Sequence, residues 1–266
     1  MLKKRLIGVV TIKNGWAVQS FSYRRYLPLG KAECLIENLD RWGADEIMLQ
    51  VIDRSLADIG PDYALLRKIA SLGLGTPLIY GGGIRTIEEG VQAIQSGADR
   101  IIVDALLHDD LSVVKVLSEQ LGAQAVIASM PVSMGVNGPE WYDYRSRETA
   151  SIDEGLAETI AQVGKQGGVV SEVLLTDWSN EGYPAGFDHA LVNQFPFKKV
   201  PLIAFGGISS VEQMRRLFAC PDVAAVAVGN FLSYRENAIQ QFKDELASHA
   251  LRPSVYATQF SLQADV

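Results

Sequence analysis

Gly82-Gly83-Ile84-Arg85-Thr86-Ile87-Glu88 returns in the second half of the chain as Gly206-Gly207-Ile208-Ser209-Ser210-Val211-Glu212. Asp45-Glu46-Ile47-Met48-Leu49 returns as Ser171-Glu172-Val173-Leu174-Leu175 at nearly the same offset. Two recurrences at nearly one offset point to a duplicated half, with a period far longer than that of a solenoid repeat. Each glycine pair follows a short apolar run and opens a helical stretch, with Thr86 or Ser210 at the N-cap and Glu88 or Glu212 in the first turn. Glycine lets backbone N–H groups approach an anion closely, and the start of a helix adds the positive end of its dipole. A tight strand-to-helix turn alone explains one such pair; two symmetric pairs favour two phosphate seats.

Outward from these pairs, short apolar runs alternate with amphipathic stretches. Strands are predicted near residues 6–12, 46–52, 77–80, 100–104, 125–130, 172–177, 201–205 and 224–228. Helices are predicted near 31–42, 63–71, 87–96, 111–121, 152–166, 189–195, 210–219 and 235–249. The runs are continuous in Val, Ile, Leu and Ala, as strands buried on both faces require. No Pro/Ser-rich linker divides them. The expectation is an α/β fold: one (β/α)8 TIM barrel of two duplicated half-barrels over residues 1–250, with a C-terminal tail at 251–266. An eight-stranded doubly wound sheet is the alternative. Val9, Leu49, Ile102, Val126, Leu174, Ile203 and Val226 are expected to fill or line the barrel.

Composition narrows the function classes. The 266 residues are 48% hydrophobic and 21% charged, ordinary for a globular chain. A net charge of −7 argues against a nucleic-acid partner. Cys34 and Cys220 have no metal-type spacing and read as reduced intracellular thiols. The opening MLKKRLIGVV gives way to Lys13-Asn14-Gly15, a turn signal, so it reads as a first strand and not a signal peptide. No apolar run reaches the length of a membrane span. A cytoplasmic protein follows, and the sequence calls for no cofactor. His108, His189 and His249 lie in helix or loop contexts and suit surface or capping roles, so no metal is expected.

Several blocks are specific together: Arg5-Leu6-Ile7 with Lys13-Asn14-Gly15, Gly43-Ala44-Asp45-Glu46, Gly81-Gly82-Gly83-Ile84, Gly97-Ala98-Asp99-Arg100, Glu172-Val173-Leu174-Leu175-Thr176 and Phe205-Gly206-Gly207. In order and spacing, over roughly residues 1–245, they resemble the cyclase subunit of imidazole glycerol phosphate synthase. The isomerase of the same pathway is a related two-phosphate barrel; Glu46, Arg100 and Glu172 favour the cyclase branch. The resemblance implies a glutaminase partner at the N-terminal end and ammonia entering through a ring of four charged residues. That ring falls on Arg5, Glu46, Arg100 and Glu172, with arginine where the family more often has lysine at the third position. Asp99, beside Arg100, would meet the partner. Ion pairs at a barrel bottom also serve stability, so a structural ring is the competing reading.

The mouth departs from the resemblance. The aspartate that ends the family's first strand falls at Thr11, and the one that ends its fifth strand falls at Pro131. A first-loop lysine falls at Gln19, and the aspartate ending strand two at Val51. Thr11 is hardly acidic and the Pro131 side chain carries no labile proton, so neither supplies the titratable group that acid–base catalysis needs. Asp104 stands where the family is amide-like, and Ala105 where it has a phosphate-binding hydroxyl. The phosphate-binding expectation is therefore Gly82, Gly83, Gly206, Gly207, Gly229 and Asn230, with an anion seated more readily at Gly206, Gly207, Gly229 and Asn230. Asp53, Asp104 and Asp177 are the candidate catalytic residues, with Glu181 a further acid at the mouth and Trp141, Tyr142 and Tyr144 a candidate cover.

Three functions compete. The first is a synthase subunit of a glutamine amidotransferase that channels ammonia to a phosphorylated or nucleotide-linked sugar acceptor, in place of the ordinary cyclisation of this lyase-type family. The resemblance includes paralogues that work with a third, sugar-modifying protein. The second is a non-catalytic barrel that activates a glutaminase and conducts ammonia. The third is a standalone phosphosugar-binding enzyme using Asp53, Asp104 or Asp177.

Overall fold

The computed structural model describes residues 3–152, 169–196, 200–246 and 251–253. In chain order the strands are β1 (Arg5–Lys13), β2 (Trp16–Phe21), β3 (Arg25–Gly30), β4 (Glu46–Val51), β5 (Leu78–Gly81), β6 (Arg100–Val103), β7 (Val126–Gly135), β8 (Gly138–Asp143), β9 (Glu148–Ser151), β10 (Glu172–Asp177), β11 (Leu202–Phe205) and β12 (Val223–Val228). The helices are α1 (Ala32–Arg41), α2 (Tyr63–Ala70), α3 (Ile87–Gln95), α4 (Ala105–Asp109), α5 (Leu111–Leu121), α6 (His189–Gln194), α7 (Val211–Ala219) and α8 (Ala238–Leu246). The helix expected near 152–166 falls on residues outside the described ones, as does the tail from 254 onward. No helix among the described residues is long and apolar enough to cross a membrane.

β1, β4, β5, β6, β7, β10, β11 and β12 pair in parallel, and the β7–β10 and β12–β1 pairings close them into a barrel. The expected (β/α)8 barrel is the fold. The repeated motifs start equivalent helices. Thr86 accepts from the Glu89 amide and Glu89 returns a carboxylate to the Thr86 amide; Ser210 and Gln213 form the same reciprocal cap on α7.

Side chains alternate across each strand, so the register decides which face the interior. Ile7, Val9, Met48, Ile79, Ile102, Ile127, Leu174 and Ile203 belong to one buried cluster inside the barrel. Leu49, Val126 and Val226 belong instead to the layer between strands and helices. The expectation that they line the barrel is corrected: each sits one residue from an inward position, and a run apolar on both faces hides that parity. Val9, Ile102, Leu174 and Ile203 do face inward.

Two antiparallel hairpins rise from the mouth and were not expected. β2–β3 follows β1 through Asn14 (φ 50°) and Gly15 (φ 75°), the doubly left-handed turn that matches strand twist. β8–β9 continues from β7 in the same manner.

One buried ion pair ties the last helix to the barrel base. Lys243 Nζ lies 2.8 Å from Asp45 Oδ1 with both side chains at most 5% exposed, and donates to the Gly43 carbonyl; Asp45 Oδ2 accepts from the Leu6 amide. Removing one partner leaves the other charge buried without compensation, which costs about 3–5 kcal/mol. Lys243→Met should therefore lower the denaturation midpoint sharply in urea titrations followed by circular dichroism. The Asp45→Asn/Lys243→Met double variant should recover part of the loss. A wild-type midpoint for Lys243→Met contradicts this role.

Candidate functional site

Parallel strands gather their C-terminal ends at one mouth and their N-terminal ends at the opposite base, and both ends carry polar groups. At the base, Arg5, Glu46, Arg100 and Glu172 come together from four strands. Arg5 Nη1 donates to Glu46 Oε2 (2.7 Å) and Arg5 Nη2 to Glu172 Oε1; Arg100 Nη1 donates to Glu46 Oε1 (3.0 Å) and Arg100 Nη2 to Glu172 Oε2 (2.6 Å). Every oxygen of both carboxylates thus meets a guanidinium nitrogen. Arg100 also reaches the Ser171 hydroxyl and the Gln124 carbonyl. Burial opposes the charge on Arg5, but the Glu172 and Glu46 carboxylates outweigh it and raise its pKa. Asp99 is exposed beside the ring, with one oxygen accepting from the Leu78 amide.

At the mouth, a cavity of about 570 Å³ opens under the two hairpins. Gln50, Asp104, Ser129, Pro131 and Thr176 form its floor, and Lys13, Arg24, Tyr142, Tyr144 and Arg147 reach it from the rim. Tyr23, at the tip of the β2–β3 hairpin, packs against the interior cluster and points its hydroxyl at Gln50. Ser22 (φ 50°) and Tyr23 (φ 53°) are both left-handed without being glycine, a strained conformation that aims the tyrosine into the barrel.

The candidate acids separate. Asp104 faces the cavity, and burial pushes its carboxyl up toward the neutral form. The Tyr144 hydroxyl is beside Asp104 and Ser55 but makes no well-formed hydrogen bond. Asp53 instead secures the β1–β2 turn by accepting from the Asn14 amide (2.7 Å). Asp177 is buried and saturated, accepting from Ser179, Asn180 and the Asp188 amide. Glu181 is 2% exposed; burial raises its carboxyl to about 7, against hydrogen bonds from Ser20 Oγ (2.9 Å) and the Tyr23 amide (3.2 Å).

Thr11 and Pro131 do not share a space. Pro131 lines the large cavity; Thr11 lines a separate one of about 440 Å³ with Val18, Leu39 and Asn230, and the two have no lining residue in common. The glycine pairs also differ. Gly82 lines the large cavity, while the Gly83 amide donates to Ser55 and the Ala105 amide to the Asp104 side chain. Gly206 and Gly207 border a space of only about 10 Å³ with Glu181 and Gly182, while Gly229 and Asn230 border both that space and the 440 Å³ cavity. The expected ranking of the two seats therefore disagrees with the room each has. The Asn230 amide group is spent on Ser20, donating to its carbonyl (2.6 Å) and accepting from its N–H (3.2 Å).

Sequence reasoning missed Tyr23, Arg24 and Arg147. The Asn14-Gly15 hairpin signal was available, but nothing local marks which hairpin residues turn inward. Of the aromatic loop, Tyr142 and Tyr144 line the cavity, and Trp141 packs behind it against His108, ring centroids 3.6 Å apart. His249 lies outside the described residues.

A family model described as histidine biosynthesis protein matches residues 5–238. Among the similar proteins, imidazole glycerol phosphate synthase subunit HisF of Alkaliphilus metalliredigens is 30% identical, covering 92% of this chain and 96% of its own length. The HisF subunit of Thermococcus gammatolerans is 28% identical over 94% of this chain and 98% of its own. A Vibrio vulnificus protein named "Putative imidazole glycerol phosphate synthase subunit hisF2" is 28% identical, covering 94% of this chain and 91% of its own length. With the closed barrel and these matches together, the chain belongs to the histidine biosynthesis protein family, in its HisF-like branch.

Proposed function

We propose that this chain is the synthase-side subunit of a glutamine amidotransferase, docking a glutaminase at the Arg5–Glu46–Arg100–Glu172 base. Ammonia released there crosses the apolar barrel interior toward a phosphorylated or nucleotide-linked sugar held at the mouth. A third, sugar-modifying protein completes the transfer. The observation that carries this reading is an asymmetry between the two ends. The base keeps a saturated four-charge ring, while the mouth has Thr11 and Pro131 at the acid–base positions and puts them on separate cavities. Asp104 is the acid best placed to touch a bound acceptor, since Asp53 and Asp177 are engaged in turns.

A second reading rests on one feature of the ring. Arg100 is pinned by Ser171 and Gln124 in addition to both carboxylates, which a lysine's single ammonium could not match. With Thr11 and Pro131 at the acid–base positions of the mouth, a base fixed in this way also suits a subunit that activates a glutaminase and transforms nothing itself.

With ammonium supplied directly, the purified chain should form little or no imidazole glycerol phosphate, because loss of one proton-transfer group commonly costs about 10²–10⁴ in rate and both are missing. Thr11→Asp alone should not restore turnover. Ordinary cyclase rates for the wild type would overturn this assignment.

Glu46→Ala leaves Arg5 and Arg100 each with a single carboxylate. It should leave the circular dichroism spectrum unchanged yet lower stimulation of glutamine hydrolysis in the partner glutaminase about fivefold or more, the usual scale of coupling between sites. Equal stimulation by wild type and variant makes the ring purely structural.

A further inference from the structure

The two halves of the mouth have different fates. On the β11–β12 side the glycines remain, but the chain has closed the space between them. The space bordered by Gly206 and Gly207 is about 10 Å³, room for one water at most, so no phosphate fits there. The closure is specific. Asn230 holds both backbone groups of Ser20; Glu181 accepts from the Ser20 hydroxyl and the Tyr23 amide; and the Glu181 carbonyl accepts from the Ser22 amide at 2.9 Å. Gly182, at φ +80°, permits the approach: a Cβ there would sit 1.9 Å from the Ser20 carbonyl oxygen. The Glu181 carboxyl is itself an acidic group beside the glycine amides, and among the described residues no cation lies within ion-pair distance of it.

The other half is open and carries unpaired positive charge. Lys13 Nζ lies 3.7 Å above the Tyr26 ring, and the Arg24 guanidinium lies 5.5 Å from the Trp178 ring centre. Arg147 comes from the facing β8–β9 hairpin. Among the described residues no carboxylate pairs with any of the three. In a chain of net charge −7, three unpaired cations around one cavity are a counter-charge waiting for an anion. One acid, Asp104, also lines that cavity; it forms no ion pair with any of the three.

We infer that the mouth takes a ligand anchored at one end only, by a phosphate or diphosphate group seated between the hairpins on Lys13, Arg24 and Arg147, and that it has no seat for a second phosphate at the ligand's far end. This rests on the proposed phosphorylated acceptor and narrows it. The ligand's other end lies over Gln50, Ser129 and Thr176, whose amide and hydroxyl groups suit the neutral hydroxyls of a sugar.

Inorganic phosphate soaked into crystals, with inorganic pyrophosphate titrated calorimetrically, tests the inference. The expected result is one phosphate per chain, between the hairpins, and pyrophosphate binding weakened about tenfold or more in Lys13→Gln/Arg147→Gln, since two charge-assisted contacts are lost. Circular dichroism of the variant, and Arg24→Gln as an independent second change, separate lost binding from lost folding. Phosphate at Gly206 and Gly207, or two ions per chain, overturns the one-ended site while leaving a phosphorylated acceptor standing. Absence of phosphate and pyrophosphate binding in the folded wild type overturns both.

Discussion

Closing eight parallel strands into a barrel turns one face of every strand inward, and the register then decides which residues share the interior. From base to mouth the inward column runs from charge to hydrocarbon to polar floor. Arg5, Glu46, Arg100 and Glu172 lie at the base; Ile7, Met48, Ile102 and Leu174 fill the middle; Gln50, Asp104, Ser129 and Thr176 open at the top. The duplication gives this column its symmetry. Glu46 and Glu172 are equivalent residues of the two halves, and the planar forks of Arg5 and Arg100 bridge them so that no carboxylate oxygen is left over. A partly buried ring of this kind holds only when complete, because each missing member leaves a charge uncompensated.

At the mouth the two glycine pairs differ in the room beside them. Gly206 and Gly207 keep the left-handed backbone that a phosphate cradle needs. The space beside them is bordered by Glu181, Gly182 and Asn230, which are in turn hydrogen-bonded to Ser20 and Tyr23 of the β2–β3 hairpin. The same hairpin inserts Tyr23 against the interior cluster, and Thr11 and Pro131 line different cavities.

The sequence carried the barrel because strand and helix periodicities differ and because Gly82-Gly83 and Gly206-Gly207 mark equivalent turns. It carried the ring through the family resemblance at Arg5, Glu46, Arg100 and Glu172, four positions that begin their strands. It did not carry the inward parity of Leu49, Val126 or Val226, since a run buried on both faces shows no alternation. Nor did it carry the mouth. Whether Asp53, Asp104 or Asp177 meets solvent, a cavity or a loop amide depends on how residues distant in sequence pack, as the Asn14–Asp53 and Asp177–Asp188 hydrogen bonds illustrate. The cations Arg24 and Arg147 sit in hairpin tips, where local pattern says least about direction.

Glutaminase docking at the base is the central claim, and it is open to a direct physical measurement. Native mass spectrometry of this chain coexpressed with the glutaminase from the same source should give a one-to-one complex, and Arg5→Ala/Arg100→Ala should reduce it to separate subunits while the barrel remains folded. A wild-type chain that stays free of the glutaminase at micromolar concentrations would contradict the account.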